Sequence, residues 1–266
     1  MATIHATALV EDGARLSDDV EIGPYCIVGG HVELAAGVRL VSHVHLEGHT
    51  SVGEGTVIHP FASLGSWPQH LRHQGEPTTL IIGARNIVRE HVTMNVGTAM
   101  GRGETRVGED NMFMAGSHVA HDCIVGNHVI FANNATLGGH VQVADHVFLG
   151  GLCAVHQNAR IGRFAFVGGM AGLEGDLIPF GSVTGNRAHL AGLNLVGMKR
   201  RDLPRERIHT IRRAYRALFN QDGSFADRVA QVEADFKDSE DVMEIIGFVR
   251  DAHKRPLCLP WSGDAA

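Results

Sequence analysis

The sequence predicts a mainly β protein: a parallel β-helix of hexapeptide repeats, followed by a small α-helical region. Three observations carry that prediction. An aliphatic residue recurs at every sixth position over most of the first 173 residues. The composition is rich in glycine (33 of 266 residues) and poor in aromatics (6%), as expected of a narrow interior filled by small and branched side chains. After Pro179 the six-residue register ends, and segments rich in Arg, Ala, Glu and Leu begin.

The repeat starts at Ile4 and runs Val10, Leu16, Ile22, Val28, Leu34, Leu40, Leu46, Val52, Ile58 and Leu64. Ile, Leu and Val make up under a quarter of the chain, so an unbroken run of them is not chance. Four residues after each lies a small or β-branched residue, as at Val20, Cys26, Val32, Thr50, Thr56 and Ala62. A period of six fits neither an α-helix nor a heptad seam. It fits a triangular coil in which each hexapeptide forms one side, three make an 18-residue turn, and glycines ease the corners. The register breaks after Leu64, resumes at Ile82, Val88 and Met94, breaks over 99–106, then runs from Val107 and Phe113 through Val167 and Leu173. The stretches 65–81 and 98–106 therefore read as loops leaving the coil, a usual place for function.

The β-helix is expected over residues 1–185 and the helical region over 186–266. Pro204 precedes a helix over Arg205–Phe219. Ser224 caps a second helix, and Ser239 caps a third over Glu240–Ala252. The simplest task of this region is to cover the open end of the solenoid.

Composition excludes several functions. Lys plus Arg is 23 against 29 for Asp plus Glu, a net charge of −6, which argues against general nucleic-acid binding. No apolar run reaches the ~18 residues of a transmembrane segment, and the N-terminus lacks the pattern of a secretory signal. The cysteines at 26, 123, 153 and 258 form no C-x-x-C pair, so a reducing, cytoplasmic setting is expected.

Residues 18 apart become neighbours in such a coil. His121 then lies one coil from Gly139 and two from Gln157, and Asp122 lies under His140, with Asn158 beyond. His118 and His156 fall on outward strand positions. A single histidine among 18 is more often a surface residue than a catalyst, but this concentration on one stretch of surface points to acid–base chemistry.

The string G-S-H-V-A-H-D-C-I-V-G-N over 116–127 closely resembles the signature of the UDP-N-acetylglucosamine O-acyltransferases, a family of hexapeptide-repeat, left-handed β-helix enzymes. A-N-N-A-T-L-G-G-H-V (132–141), G-G-L-C-A-V-H-Q (150–157), Q-G-E-P-T (74–78) and G-L-N-L-V-G-M-K-R-R (192–201) extend the resemblance over essentially the whole chain. It implies a left-handed coil, where the usual crossover rule gives the other hand. It also implies transfer of a long 3-hydroxyacyl group, near 3-hydroxymyristoyl, from acyl carrier protein to the 3-position of a UDP-sugar, the first step of lipid A synthesis. Neither cofactor nor metal is required.

By the same resemblance His121 is the general base, Asp122 orients it, and Gly139 offers a backbone N–H to the oxyanion. His70, Arg72, Asn95, His118, His140, His156 and Gln157 match substrate-positioning residues. Asn194, Arg200 and Arg201 match residues associated with the nucleotide and carrier protein, and Arg212 and Arg213 are further candidates for docking that acidic partner. Gly169 matches the position that limits acyl-chain depth, with Phe166 and Met170 beside it. The family implies a homotrimer with sites between subunits.

Residue 70 is His where many members carry an acid, residue 95 is Asn in M-N-V-G-T where many carry His, and Val196 replaces a common Glu. These departures keep a 3-amino acceptor open beside the 3-hydroxy one. A γ-class carbonic anhydrase needs three zinc-binding histidines, and the H-x-x-H spacing of His118 and His121 does not match its close pair. The N-acyltransferase acting later in lipid A synthesis carries an N-terminal uridine-binding domain for which the repeat, starting at Ile4, leaves no room. A non-enzymatic solenoid scaffold survives on fold alone.

Overall fold

In the computed structural model, which describes residues 1–220, 222–251 and 254–261, the chain winds into a three-sided prism. Among the described residues its sides are sheets of eleven, nine and eight strands, here the first, second and third. Thr3 pairs in parallel with Glu21, Glu21 with Arg39 and Arg39 with Val57, so one turn is the 18 residues of three hexapeptides. Most strands are only two residues long, because the chain must bend again after each side. The first sheet closes with an antiparallel pair, Gly181–Thr184 and His189–Leu193.

The 18-residue step fails twice, where Val57 pairs with Ile87 and Ile87 with Met112. In those turns the chain leaves after the strands Ser63–Ser66 and Thr93–Asn95 and returns at Thr79–Ile82 and Glu104–Val107. Both loops are shorter than the broken register suggests, since their ends continue the sheets. Both leave the second sheet and enter the third, so they project from the same corner.

The register residues point inward. Ile22, Leu40, Ile58, Val88, Phe113, Leu149 and Val167 are all buried, each contributing about 1.5–3 kcal/mol on burial. The small residues four positions on, such as Val20, Cys26, Thr50 and Ala62, are buried with them. Phe113 and Phe131 pack ring on ring inside the prism at 4.7 Å, so the interior is not wholly aliphatic. Ile4 remains 45% exposed at the open first turn.

Glycine does not turn most of the corners, contrary to expectation. The left-handed conformation is taken by His43 (φ 50°), His91 (59°), His128 (55°), His140 (63°) and His146 (62°), and by Tyr25, Phe61, Asn134 and Phe164. Such a conformation costs an L-residue roughly 1–2 kcal/mol. Ring stacking along the corners offsets it: Tyr25, His43, Phe61 and His91 follow one another at 5.0–5.1 Å, and His128, His146, Phe164 and Phe180 at 4.7–5.7 Å. Much of the histidine content therefore serves as corner masonry.

Helix α1 (Leu195–Arg200) is short and capped by Asn194. Helix α2 (Arg205–Leu218) follows Pro204, α3 (Phe225–Asp235) is capped by Ser224, and α4 (Glu240–Arg250) is capped by Ser239. The expected end of α4 at Ala252 and residues 262–266 lie outside the described residues. Met198, Ile211, Leu218, Val232, Val242 and Ile245 form a second core on Phe164 and Phe180, closing that end of the prism. Arg160 ties the two parts together. It donates to Asp176 Oδ2 (2.7 Å) and to Asp251 Oδ2 (2.8 Å) while lying over the Phe248 ring.

Candidate active site

The corner between the second and third sheets carries the densest chemistry. His121 follows the strand His118–Val119, and Asp122 turns the corner with φ 60°. The His121 ring donates through Nδ1 to Asp122 Oδ2 at 2.8 Å, which leaves Nε2 as the free nitrogen. The His121 side chain is 12% exposed and that of Asp122 0%.

Asp122 is held from all sides. Thr98 donates its amide to both carboxylate oxygens (3.2 Å) and its hydroxyl to Oδ2 (2.7 Å), and the Arg102 amide donates to Oδ1 (2.7 Å). Burial disfavours the charge, but the bonds from His121, Thr98 and Arg102 outweigh it and hold this carboxyl well below the usual carboxylate range. The loop after Asn95 thus exists in part to wrap an anion. Gly101 packs on that carboxylate so closely that a β-carbon would lie 2.4 Å from Oδ1.

Gly139 sits one turn above His121. A β-carbon there would lie 2.5 Å from His121 Cε1, so the imidazole occupies the space a side chain would take. The Gly139 amide finds no acceptor among the described residues. His140 stands edge-on to His121 at 5.1 Å, and His70, on the long loop, stands edge-on from the other side at 5.4 Å. Burial pushes the His140 imidazole below its ordinary value despite Asp122 nearby, with His121 and Lys254 adding to the depression. His118 is likewise pushed down by burial and by His121, and its Nδ1 pairs with the Thr93 hydroxyl at 2.7 Å.

The other expected residues of this corner have distinct surroundings. Arg72 is exposed on the long loop. Asn95 is buried and donates to the carbonyls of Ser66 (3.4 Å) and Trp67 (3.0 Å), anchoring that loop. His156 lies just past the strand Ala154–Val155 rather than on it. It and Gln157 meet Arg255, whose Nε donates to the Gln157 carbonyl at 3.0 Å and whose guanidinium contacts the His156 ring. Lys254 donates to Asn158 Oδ1 at 3.2 Å. Sequence reasoning missed Thr98, Arg102, Lys254 and Arg255. The last two reach the site from almost a hundred residues away.

Two groups of expected residues are elsewhere on the prism. Asn194, Arg200 and Arg201 line a groove of about 810 Å³ against the outer face of the first sheet, with Phe148 and Phe166 on its floor. Arg201 reaches the corner between the third and first sheets, where it meets His146 and the His128 carbonyl. Gly169 lies at the remaining corner, beside Met170 (φ 58°). One chain thus carries the three groups on three different edges.

Among the described residues, His121, Asp122 and His140 bring ligand atoms within 4.8 Å of one another. Asp122 is already committed to three N–H and O–H donors besides the imidazole whose orientation it sets, which is the donor set of a mounted imidazole rather than of a metal cage. Cys123, next to this pair, is fully buried, and burial pushes its thiol up to about 12, so it is no nucleophile. An imidazole oriented by a carboxylate, beside a main-chain N–H with no acceptor among the described residues, is what acyl transfer to a hydroxyl requires.

Fold and site together define a hexapeptide-repeat transferase. A model of the bacterial transferase hexapeptide (six repeats) matches residues 104–139, and one of UDP-N-acetylglucosamine O-acyltransferase domain 2 matches residues 176–258. The acyl-[acyl-carrier-protein]–UDP-N-acetylglucosamine O-acyltransferase of Caulobacter vibrioides is 57% identical over 97% of this chain and 98% of its own. That of Azorhizobium caulinodans is 53% identical over 100% and 98%. Among solved structures, a UDP-N-acetylglucosamine acyltransferase superposes with a TM-score of 0.93 at 39% identity, covering 98% of this chain and 100% of that one. The enzyme from Campylobacter jejuni gives 0.92 at 34% identity, over 97% and 100%. The chain belongs to the UDP-N-acetylglucosamine O-acyltransferase family, and its coil is the left-handed one of that family.

Proposed function

We propose that the chain moves an (R)-3-hydroxyacyl group from acyl carrier protein to the 3-position of UDP-N-acetylglucosamine, the first step of lipid A synthesis in the cytoplasm, with His121 as general base. The relatives named above support the reaction. The observation that carries the mechanism is the His121–Asp122 pair set directly under Gly139.

Asp122 accepts a hydrogen bond from Nδ1–H and fixes the tautomer, so Nε2 takes the proton of the acceptor hydroxyl as its oxygen attacks the thioester carbonyl. Such a base contributes about 10²–10⁴-fold. The oxyanion receives the Gly139 N–H. Collapse expels the pantetheine thiolate, which the imidazolium protonates, and no acyl-enzyme forms. His140, His118, His156 and Gln157 hold the sugar around this point.

The nucleotide requires charge, and Arg200 and Arg201 supply it, their forked guanidinium groups suiting phosphate. They lie on another edge of the same chain, so a complete site takes His121 from one subunit and Asn194, Arg200 and Arg201 from a neighbour. This supports a homotrimer of parallel prisms. Carrier-protein docking is assigned to Arg200, Arg201 and Arg212. Arg212 lines a basic groove with Lys199, Arg205 and His209, whereas Arg213 lies over the Phe236 ring and serves the packing of the helices. Gly169 leaves room for a long acyl chain.

The test is a grid of purified protein with UDP-N-acetylglucosamine or its 3-amino analogue, and carrier proteins charged with 3-hydroxyacyl chains of several lengths. The proposal expects turnover of the 3-hydroxy sugar, fastest near fourteen carbons, and its loss in His121→Ala. Turnover of the amine alone moves the acceptor atom to nitrogen. No turnover of either sugar favours a scaffold.

A further inference from the structure

At the corner between the third and first sheets, Arg201, which caps α1, donates through one terminal nitrogen to His146 Nδ1 at 2.8 Å and through the other to the His128 carbonyl at 3.0 Å. An imidazole nitrogen accepts from a guanidinium only when it carries no proton. The His146 ring is clamped between His128 (4.9 Å, 7° between planes) and Phe164 (4.7 Å, 25°), and Phe180 continues the stack. Its backbone is left-handed, with φ 62°. The acceptor therefore sits on a rigid mount, and both His146 and Arg201 line the groove that also holds Asn194 and Arg200.

We propose that His146 is a positioning residue for Arg201: its unprotonated Nδ1 aims the guanidinium into the groove, and protonation of His146 releases it and weakens capture of the anionic nucleotide. This rests on the reading of Arg201 as a nucleotide-phosphate ligand. The groups facing His146 are His128 from the preceding turn, Arg163 from the following turn, Asp145 beside it and Arg201. Burial, then Arg201 and His128, press its protonation below the ordinary imidazole range, against the opposing charge of Asp145. The mount thus favours the acceptor form at neutral pH, and acid removes it.

Three variants separate this from a merely structural role. His146→Phe keeps a ring in the stack and removes the acceptor. His146→Asn puts Oδ1 where Nδ1 was, suits a left-handed corner and does not titrate. Arg201→Ala removes the group being aimed. The KM for UDP-N-acetylglucosamine, at saturating acyl donor, is measured from pH 5 to 8, with kcat as a check on the remainder of the site.

His146→Phe should raise KM about tenfold or more at pH 7.5 with little change in kcat, the size of one lost hydrogen bond to a charged group. His146→Asn should restore KM and remove the part of its acid rise that His146 causes. In an Arg201→Ala background, His146→Phe should add nothing further. An equal rise of KM in that background, or an unchanged KM in His146→Phe while Arg201→Ala raises it, overturns the positioning role. If Arg201→Ala itself leaves KM unchanged, the underlying reading of Arg201 fails instead.

Discussion

His121 fills the volume in which a side chain at residue 139 would lie: a β-carbon on Gly139 comes 2.5 Å from Cε1 and 2.7 Å from Nε2 of the imidazole. The base and the main-chain donor proposed for the oxyanion are therefore in contact, and neither can move without the other. Gly139→Ala should shift the ring by about an ångström and lower kcat roughly 100-fold, with the melting temperature little changed. Kinetics beside thermal unfolding checks it. Normal kcat in the folded variant removes this coupling.

Asp122 should leave a signature in acid. Its folded pKa is depressed by the bonds from His121, Thr98 and Arg102 against the cost of burial. Its contribution to stability is thus fully present above the unfolded value of about 4 and is lost as pH falls from there toward the folded value. Melting temperature should drop between pH 5 and 3 more steeply in the wild type than in Asp122→Asn. At neutral pH the same variant should lose about 10²-fold or more in kcat, because the tautomer and the imidazolium both lose their partner. Parallel acid profiles for the two proteins would contradict this account of Asp122.

Gly169 should set acyl length. Among the described residues a β-carbon there meets only the Gly151 carbonyl, at 3.4 Å, so a larger residue fits the fold and fills space outside it. Gly169→Met should shift preference toward shorter donors with unchanged stability. Competition between carrier proteins charged with ten- and fourteen-carbon chains measures it, and an unaltered ratio rules the assignment out.

Arg160 should matter for stability and not for chemistry. It is 9% exposed and bonds Asp176 and Asp251. Arg160→Met leaves Asp176, itself buried, without its cation and should cost about 3 kcal/mol in denaturant unfolding at fixed protein concentration. Adding Asp176→Asn should recover part of that loss. A neutral single variant would mean that Arg160 is not what ties the helical region to the prism.

The prism was legible because a solenoid makes its contacts in columns. Ile22, Leu40 and Ile58 meet by an 18-residue step that the sequence displays directly, and the same step set His121 beside Gly139 and Asp122 beside His140. The corners were misread because ring stacking, as in His128 on His146 on Phe164, replaces glycine there; the 18-residue step aligns those rings, but the aliphatic period does not show which residue takes the left-handed corner. Lys254 and Arg255 return to Asn158 and Gln157 through a helical region with no such period. Thr98 was hidden because the loop wraps the carboxylate largely with backbone amides, which carry no residue-type signal, and because its hydroxyl reaches Asp122 from 24 residues away, off the 18-residue step.

The proposed site is assembled from two chains. Mixing His121→Ala subunits with Arg200→Ala/Arg201→Ala subunits, then dissociating and reassembling them, tests it directly. Each mixed assembly contains interfaces where an intact His121 faces intact arginines, so equal mixing should restore about a quarter of wild-type activity. Activity no higher than the mean of the two parent preparations would mean that base and nucleotide clamp belong to one chain, and would contradict the account.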